Sequence, residues 1–296
     1  MSKGKLILIE GLEGAGKSSF ISKLQDYLEK NEISTVCTRE PGGTPIAEAI
    51  RETFKADYLP EKMDVKTELM LLYAARNQTM QYIIKPHINT TDIIISDRSW
   101  LTSFAYQQKV DTEDFLLIHN FVMKDMPEAD FVIYLDVKPE VGMARARTRG
   151  ELDRIEKNEI EFFHTARSRY QEIINDVFPE KHVTIDTTNI SPDEVFNSAI
   201  KMLIKKGIIA SSVSDDEYKA LTHKLVNIAK ERTVDKPHNT FPTISELSDL
   251  LNCSEPCVKD IIEDHEHLML ITGFGGNNGV ASIDSESEFM VEYLGE

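Results

Sequence analysis

Short apolar runs alternate with helical patterns along the first two thirds of the chain. Such runs predict strands that are buried on both faces, as in a parallel sheet. The predicted strands are 6–9, 33–37, 92–96, 130–137 and 182–186. Apolar residues at spacings of three and four predict helices at 18–30, 45–53, 64–82, 101–108, 112–126, 139–148, 160–178 and 192–206. Strands that alternate with helices predict an α/β fold, in which a parallel sheet has helices on both faces.

The pattern changes after residue 207. Small and polar residues at 210–216 are typical of a linker. Beyond them the sequence predicts helices and then two short strands, at 215–232, 244–251, 255–265, 267–273 and 280–285. This order of helix, helix-turn-helix and hairpin resembles a winged-helix module. We therefore predict a main domain at 1–207, a linker at 208–214 and a small C-terminal α+β domain at 215–296.

Charge also separates the two parts of the chain, whose overall net charge is −17. Residues 1–207 hold 27 Lys and Arg against 33 Asp and Glu, a net of −6, whereas residues 208–296 hold 6 against 17, a net of −11. A winged helix that reads DNA needs basic residues on the second helix of its helix-turn-helix, which is the recognition helix. Because the predicted helix at 255–265 offers Lys259 against four acidic residues, nucleic acid is not an expected partner. We expect the acidic domain to contact a protein or to pack against the main domain.

The cysteine count and the apolar runs indicate a cytoplasmic protein. Three cysteines provide no disulfide framework, which makes a reducing compartment the default. No apolar run approaches the ~20 residues that span a bilayer. The basic N-terminal segment runs directly into a buried strand, so we do not interpret it as a cleaved signal. We expect no membrane partner.

A phosphate-binding loop follows the first predicted strand. Residues 11–18, GLEGAGKS, match the pattern G-x-x-x-x-G-K-[ST] at every fixed position. Glycines let backbone amides turn inward around phosphate oxygens, and the N-terminus of the next helix favours the same anion. Lys17 can reach the outer phosphates of ATP, and the Ser18 hydroxyl can ligate Mg²⁺. The residues that we expect to bind ATP are Gly11, Gly14, Ala15, Gly16, Lys17, Ser18 and Ser19. A chance glycine-rich turn is the alternative, but the strand before it and the helix after it are the context that the motif requires.

Four further motifs follow in order. They are REPGGT with AEAIR (39–51), YAAR (73–76), DRS with AYQ (97–107), and RARTRGELDRIE with FFHTARSRY (145–170). Together with the phosphate-binding loop they resemble the bacterial type of the thymidylate kinase family over about residues 3–206. The resemblance implies a P-loop NTPase fold, Mg²⁺-dependent transfer of the ATP γ-phosphoryl to dTMP, and a homodimer. The C-terminal extension lies outside it. Two alternatives stay open: a kinase for dUMP or a 5-substituted analogue, and a degenerate nucleotide-binding scaffold protein.

Arginines can supply most of the chemistry of such a transfer. The acceptor phosphate has a second pKa of about 6, so it is already a nucleophile at neutral pH and needs no general base. Arginine pairs bidentately with phosphate, which suits the charge that moves with the phosphoryl group. The resemblance implies that Arg98 contacts the acceptor phosphate and the transferred group, with Arg51 also on the acceptor phosphate. Asp97 would orient Arg98 or organise water on Mg²⁺. The alternatives are an ion pair that caps a strand for Asp97 and Arg98, and a solvated charge for Arg51.

The residues around Gly150 resemble the lid of this family, which closes over ATP. The lid segment (residues 145–154) carries Arg145, Arg147, Arg149 and Arg154. The variable positions of the phosphate-binding loop hold no basic residue. The resemblance implies that the lid instead brings an arginine to the phosphoryl group that is transferred, and we expect Arg149 and Arg154 to be catalytic. A run of arginines on a helix is otherwise typical of a solvated face.

The remaining expected contacts are with the nucleoside. Glu13, a carboxylate inside a phosphate-binding loop, is expected to reach the sugar 3′-hydroxyl; the alternative is a side chain in solvent. Tyr106 matches the aromatic residue that leaves no room for a 2′-hydroxyl. Arg76, Ser103 and Gln107 match polar residues that read the pyrimidine.

Leu72 departs from the family pattern. The family usually has Phe at this position, four residues before Arg76, where it stacks on thymine. Aliphatic packing provides less than ring stacking. The difference bears on how strictly thymine is preferred.

Overall fold

Five parallel strands form the sheet that positions the site. A computed structural model describes residues 4–148, 150, 153–210, 220–224, 247–248, 251, 258, 261, 269–270 and 282–283. The strands are β1 (Lys5–Glu10), β2 (Thr35–Arg39), β3 (Ile93–Asp97), β4 (Phe131–Asp136) and β5 (His182–Asp186). They lie in the order β2-β3-β1-β4-β5. β1 and β4 are almost wholly buried, as their apolar sequences predict. The α/β fold with a parallel sheet is confirmed.

The helices also follow the predicted order. They are α1 (Lys17–Lys30), α2 (Pro45–Lys55), α3 (Val65–Thr79), α4 (Lys85–His87), α5 (Trp100–Tyr106), α6 (Thr112–Met123), α7 (Pro139–Arg147), α8 (Ile160–Val177) and α9 (Pro192–Lys205). α1 and α9 pack together through Phe20, Tyr27 and Phe196. On the rest of the sheet, α5 and α7 pack against α8, and α2 packs against α3.

Side-chain caps explain where several helices begin. Thr44 accepts a hydrogen bond from the amide of Ala47 at 3.2 Å, and Pro45 occupies the first turn of α2. Asp64 caps α3 in the same way, and Ser99 caps α5. Each cap satisfies an amide that has no partner within its helix. The cap at Ser99 matters for the site because it follows directly on Asp97 and Arg98.

Most element boundaries differ from the predicted ones by one to three residues, most plainly those of β2 and of the helix predicted at 64–82. β2 begins two residues later than predicted and ends at Arg39, because it pairs with β3 in the register Thr35↔Ile93 to Arg39↔Asp97. The helix predicted at 64–82 is α-helical only to Thr79 and continues as a π-helical turn, Met80–Ile84, into α4. The Thr79 hydroxyl donates to the carbonyl of Gly42, which ties this helix to the loop after β2.

The chain divides into two compact units, Met1–Ile209 and Ala210–Glu296. Ile209 packs with the apolar core of the first unit. The predicted domain boundaries and linker stay predictions. In the second unit, the strands β6 (Met269–Leu270) and β7 (Ser282–Ile283) pair antiparallel, at the two positions predicted for a hairpin. The described residues of the three predicted helices, 220–224, 247–248, 251, 258 and 261, are helical, and the rest of the winged-helix prediction lies outside the described residues. No helix in the described part of the chain is long and apolar enough to cross a membrane.

Candidate active site

A cavity of 860 Å³ opens at the carboxyl edge of the sheet. The predicted site residues that line it are Glu13, Gly14, Gly16, Lys17, Ser18, Ser19, Arg51, Leu72, Asp97, Arg98, Tyr106, Gln107 and Arg154. Gly11, Ala15, Arg76 and Ser103 are buried and do not line it. Arg149 lies outside the described residues. The fold therefore brings most of the predicted set to one cavity.

Backbone conformation explains why the phosphate-binding loop carries glycine at Gly14 and Gly16. Gly14 and Gly16 have φ of 70° and 96°, in the left-handed region that favours glycine. A Cβ on Gly14 would also lie 2.1 Å from the carbonyl oxygen of Gly142 in α7. The loop ends at Lys17, where α1 begins, so the positive end of the α1 dipole is placed at the cavity.

Lys17 is held by the loop that precedes it. Its Nζ donates to the carbonyl oxygens of Gly11 and Leu12, each at 2.8 Å. Burial and the charge of Arg98 lower the pKa of Lys17 to about 8, against the opposing effect of nearby carboxylates. The ammonium group is therefore charged at neutral pH but is poised to lose its proton at mildly alkaline pH.

Ser18 and Asp97 are the residues that fit Mg²⁺. Ser18 is exposed at the start of α1, and Asp97 stands at the end of β3; both line the cavity. The Asp97 Oδ1 atom is buried and has no hydrogen-bond partner among the described residues. Those residues contain no group of three or more His, Cys, Asp or Glu able to hold a metal. Mg²⁺ is usually bound through one or two protein oxygens together with phosphates and water.

Arg98 follows β3 in a left-handed conformation, with φ of 70°. Its amide donates to the carbonyl of Ile9 at 2.9 Å, and its carbonyl accepts from the Ser96 hydroxyl at 2.8 Å. These bonds hold a backbone conformation that is uncommon for a residue other than glycine. The direction in which the Arg98 side chain leaves the backbone is therefore tightly set.

The carboxylate of Glu13 joins two other predicted site residues. Its Oε1 accepts from Arg98 Nη2 at 2.7 Å, and its Oε2 accepts from the Tyr106 hydroxyl at 2.5 Å. Burial acts to raise the pKa of Glu13, but Arg98 and Lys17 outweigh it and the pKa falls below its usual range. For Arg98, burial acts to lower the pKa, yet Glu13 holds it well above the ordinary value. The pair is thus ionised.

Glu10 is a residue of the site that sequence reasoning missed. It is fully buried at the end of β1 and accepts from the hydroxyls of Ser99, Thr102 and Tyr170 at 2.6, 2.8 and 3.0 Å. Burial raises its pKa in spite of these bonds. Arg98 Nη1 donates weakly to two of the same hydroxyls, at 3.4 and 3.5 Å. The sequence did contain a signal for Glu10, because a charged residue stands between the apolar strand and the first glycine.

Arg51 lines the cavity together with Lys17 and Arg98. Its Nη1 donates to the carbonyl of Pro41 at 2.8 Å. Burial lowers its pKa, and the positive charges of Arg39 and Arg98 lower it further. Cations that destabilise one another in this way attract a polyanion. Lys17, Arg51 and Arg98 therefore make this end of the cavity suited to phosphate.

The other end of the site contains a buried ion pair. Arg76 Nε donates to Glu40 Oε2 at 2.6 Å, and Arg76 Nη2 donates to the Ser103 hydroxyl at 2.9 Å. The guanidinium lies 4.4 Å from the ring centre of Tyr73. Arg76 Nη1 and Gln107 Oε1 are buried and have no partner among the described residues. Such groups carry a desolvation penalty that a bound ligand can remove. Glu40 was not predicted, although it lies in the REPGGT motif.

Arg154 is fixed to the wall of the cavity formed by α2 and α3. It pairs with Glu68, and its Nε and Nη2 donate to the carbonyl of Phe54 at 3.2 and 3.0 Å. Arg145, another arginine of the lid segment, instead donates to the carbonyl of Gly14 at 3.3 Å. Arg145 therefore supports the phosphate-binding loop, a role that its position in an arginine run does not reveal.

Comparison with known proteins points to one family. The thymidylate kinase family model matches residues 9–199. The thymidylate kinase of Legionella pneumophila (strain Paris) is 41% identical over 208 residues, which cover 69% of this chain and 96% of that protein. That of Pseudoalteromonas translucida (strain TAC 125) is 42% identical over 200 residues, 64% of this chain and 95% of that protein. The C-terminal extension lies outside the family match.

Proposed function

Because the chain belongs to the thymidylate kinase family, we propose that it transfers the γ-phosphoryl group of ATP to dTMP, giving dTDP and ADP. The observation that carries the proposal is a single cavity with two chemically different ends. One end groups Lys17, Arg51 and Arg98 beside the phosphate-binding loop, and the other lies next to the buried Arg76. Neither alternative raised from the sequence, a different pyrimidine specificity or an inactive scaffold, is favoured by the comparisons.

Phosphoryl transfer here rests on positioning and on charge. The dTMP phosphate attacks as an anion, so the protein supplies no general base. Lys17 holds the outer phosphates of ATP, and Arg98 spans the acceptor phosphate and the moving phosphoryl group. Glu13 and the Glu10 hydroxyl network keep the Arg98 guanidinium in place. Ser18 and Asp97 would hold Mg²⁺, which supplies positive charge to the phosphates of ATP.

The nucleoside end of the site suits a pyrimidine with two carbonyl groups. Arg76 Nη1 is a free donor and Gln107 Oε1 a free acceptor among the described residues. Together they complement a ring carbonyl and the neighbouring N3–H of thymine. Leu72, 7% exposed on the wall of the cavity, packs against the ring, and Tyr106 with Glu13 meets the deoxyribose.

A substrate panel tests the proposal. ADP release by the full-length protein is measured with dTMP, dUMP, dCMP and UMP, each with Mg²⁺ and ATP. We expect dTMP to give the highest kcat/KM, and UMP to be excluded by Tyr106 at the 2′ position. Turnover that is highest with another monophosphate would overturn the assignment of substrate.

A homodimer and a cytoplasmic location complete the proposal. Apolar side chains on α6 support the dimer: Leu117 and Phe121 are 71% and 85% exposed. The free thiol of Cys37 supports a reducing compartment. Sedimentation of the Leu117→Glu/Phe121→Glu variant tests the dimer, which should dissociate. If the variant sediments as a dimer, another face holds the copies together.

A further inference from the structure

Glu68 on α3 joins two residues of the site that are far apart in sequence. Its side chain is only 13% exposed. One carboxylate oxygen, Oε1, accepts from Arg154, and the other, Oε2, accepts from Gln107 Nε2 at 3.2 Å. Glu68 itself lines the cavity, as both of its partners do.

The charge of Glu68 decides which way the amide of Gln107 is turned. A carboxylate paired with an arginine can only accept hydrogen bonds, so the group of Gln107 that faces it must be the NH₂. The amide oxygen Oε1 is thereby turned away from Glu68, and it has no partner among the described residues. The end of Gln107 that remains for a ligand is an acceptor.

We infer that Glu68 is a positioning residue for recognition of the pyrimidine: it locks Gln107 with an acceptor toward the base and so selects rings that carry N3–H. The inference rests on the proposed function. Thymine and uracil have a hydrogen on N3, whereas N3 of cytosine is itself an acceptor and meets Gln107 Oε1 with repulsion. A site that leaves a buried polar group unpaired with the wrong ligand discriminates strongly against it.

Arg154 keeps the Glu68 side chain in the position that this role requires. The guanidinium is fixed from its other side by the carbonyl of Phe54, so it holds a positive charge against Oε1. This contact occupies Oε1 and leaves Oε2 for Gln107. Base recognition and the seating of Arg154 therefore share one carboxylate.

The test compares two substrates that differ only at the N3–C4 edge, dTMP and 5-methyl-dCMP. In the wild-type protein dTMP should be strongly preferred in kcat/KM. In Glu68→Gln the neutral amide can donate or accept, so Gln107 is free to turn, and the preference for dTMP should fall by about tenfold. In a Gln107→Ala background the preference is already reduced, and adding Glu68→Gln should lower it no further.

A control and the contrary outcomes separate this role from a structural one. Asp114→Asn removes the exposed pair between Lys66 on α3 and Asp114, 2.7 Å apart, and should leave the preference unchanged. If Glu68→Gln lowers kcat/KM equally for both substrates, or if its effect persists in the Gln107→Ala background, the inference is overturned while the proposed function stands. If the wild-type protein does not phosphorylate dTMP, the proposed function itself has failed.

Discussion

Arginines and glutamates are paired throughout the site. Glu13 holds Arg98, Glu40 holds Arg76, and Glu68 holds Arg154. A guanidinium that is already fixed by a carboxylate loses little freedom when it binds substrate, which is the basis of preorganisation. The pair with Glu40 also leaves part of Arg76 free, because its Nη1 has no partner within the described residues. Substrate charge is then met by Lys17, Arg51 and the preorganised guanidinium of Arg98.

The pKa of Lys17 predicts how ATP binding changes with pH. The folded-state pKa of about 8 lies below the ordinary value of 10.5 because of burial and Arg98. The charged form binds phosphate, so affinity is full below pH 8 and is lost as the pH rises through that value. The KM for ATP should increase by about tenfold per pH unit above 8, measured by steady-state kinetics from pH 6.5 to 9.5.

Lys17→Arg is the control for this prediction. A guanidinium keeps its proton above pH 12. The KM for ATP of the variant should therefore stay constant over the same range, even where its turnover is lower. A KM that is also constant in the wild-type protein would show that Lys17 remains charged.

Arg98 and Arg51 should differ in what they contribute to the rate. Arg98 is anchored by Glu13 and by its backbone hydrogen bonds beside the phosphate-binding loop, whereas Arg51 reaches the site from α2 through its bond to Pro41. Arg98→Ala should lower kcat by about 10³-fold or more, as expected for an arginine that stabilises the moving phosphoryl group. Arg51→Ala should act mainly on the KM for dTMP. Equal losses of kcat in the two variants would contradict the distinction.

The motifs predicted Lys17, Arg98 and its partner Glu13, but not the buried carboxylates Glu10, Glu40 and Glu68. Lys17 and Arg98 could be predicted from the sequence because motif spacing identifies them one at a time. Glu10, Glu40 and Glu68 act through contacts with residues 36 to 160 positions away in the chain, and no local spacing encodes such contacts. A buried carboxylate in an apolar context is the one signal that was available, and it applied to Glu10.

At the scale of elements, buried strands were predicted closely and their ends less so. β5 lies where the sequence placed it because both its ends adjoin polar residues. β2 was displaced by two residues because its pairing with β3, and not its own apolar run, sets its limits. Likewise the helical periodicity of α3 does not reveal the π-helical turn after Thr79 or the bond from the Thr79 hydroxyl to the carbonyl of Gly42.

The segment at 153–158 is docked on the end of α2 by charge pairs. Asp153 lies 2.7 Å from Lys55, and Lys157 lies 3.5 Å from Asp57. Asp153→Asn removes the first pair while the amide oxygen can still cap Ile155, whose amide lies 2.9 Å from the native Oδ1. Because partly exposed pairs contribute about 0.2–1 kcal/mol, amide hydrogens at 153–158 should exchange about two to five times faster. The KM for dTMP should rise by a similar factor.

Hydrogen exchange followed by mass spectrometry measures the first effect. Glu180→Gln serves as the control, since it removes the pair with Lys206 on the far side of the same unit. It should change exchange only near its own site. Unchanged exchange at 153–158 in Asp153→Asn would show that Arg154, and not the pair with Lys55, holds the segment.

At the scale of the whole chain, the part that matches the kinase family and the acidic extension occupy separate stretches of the sequence. The family match ends at residue 199, and the charge of −11 lies in 208–296. A surface of that charge gains nothing from counterion release, so binding to duplex DNA is not expected. The matched segments cover 96% and 95% of two relatives, so we predict that phosphoryl transfer in this chain does not require the second unit.

Two truncations test where the catalytic unit ends. Gly207 has φ of 65°, and the amide of Ile208 returns to the carbonyl of Leu203 at 2.8 Å, so the chain folds back on α9. Leu203 and Ile209 are then 0% and 5% exposed in the core of the first unit.

A chain that ends at Ala210 keeps this contact and should phosphorylate dTMP with kcat/KM within about twofold of the full chain. A chain that ends at Gly207 loses Ile209 and should be less stable by about 1.5–3 kcal/mol, the usual effect of one buried aliphatic side chain. Thermal unfolding and ADP release distinguish the two. Aggregation or inactivity of the chain that ends at Ala210 would show that the acidic extension is part of the catalytic unit.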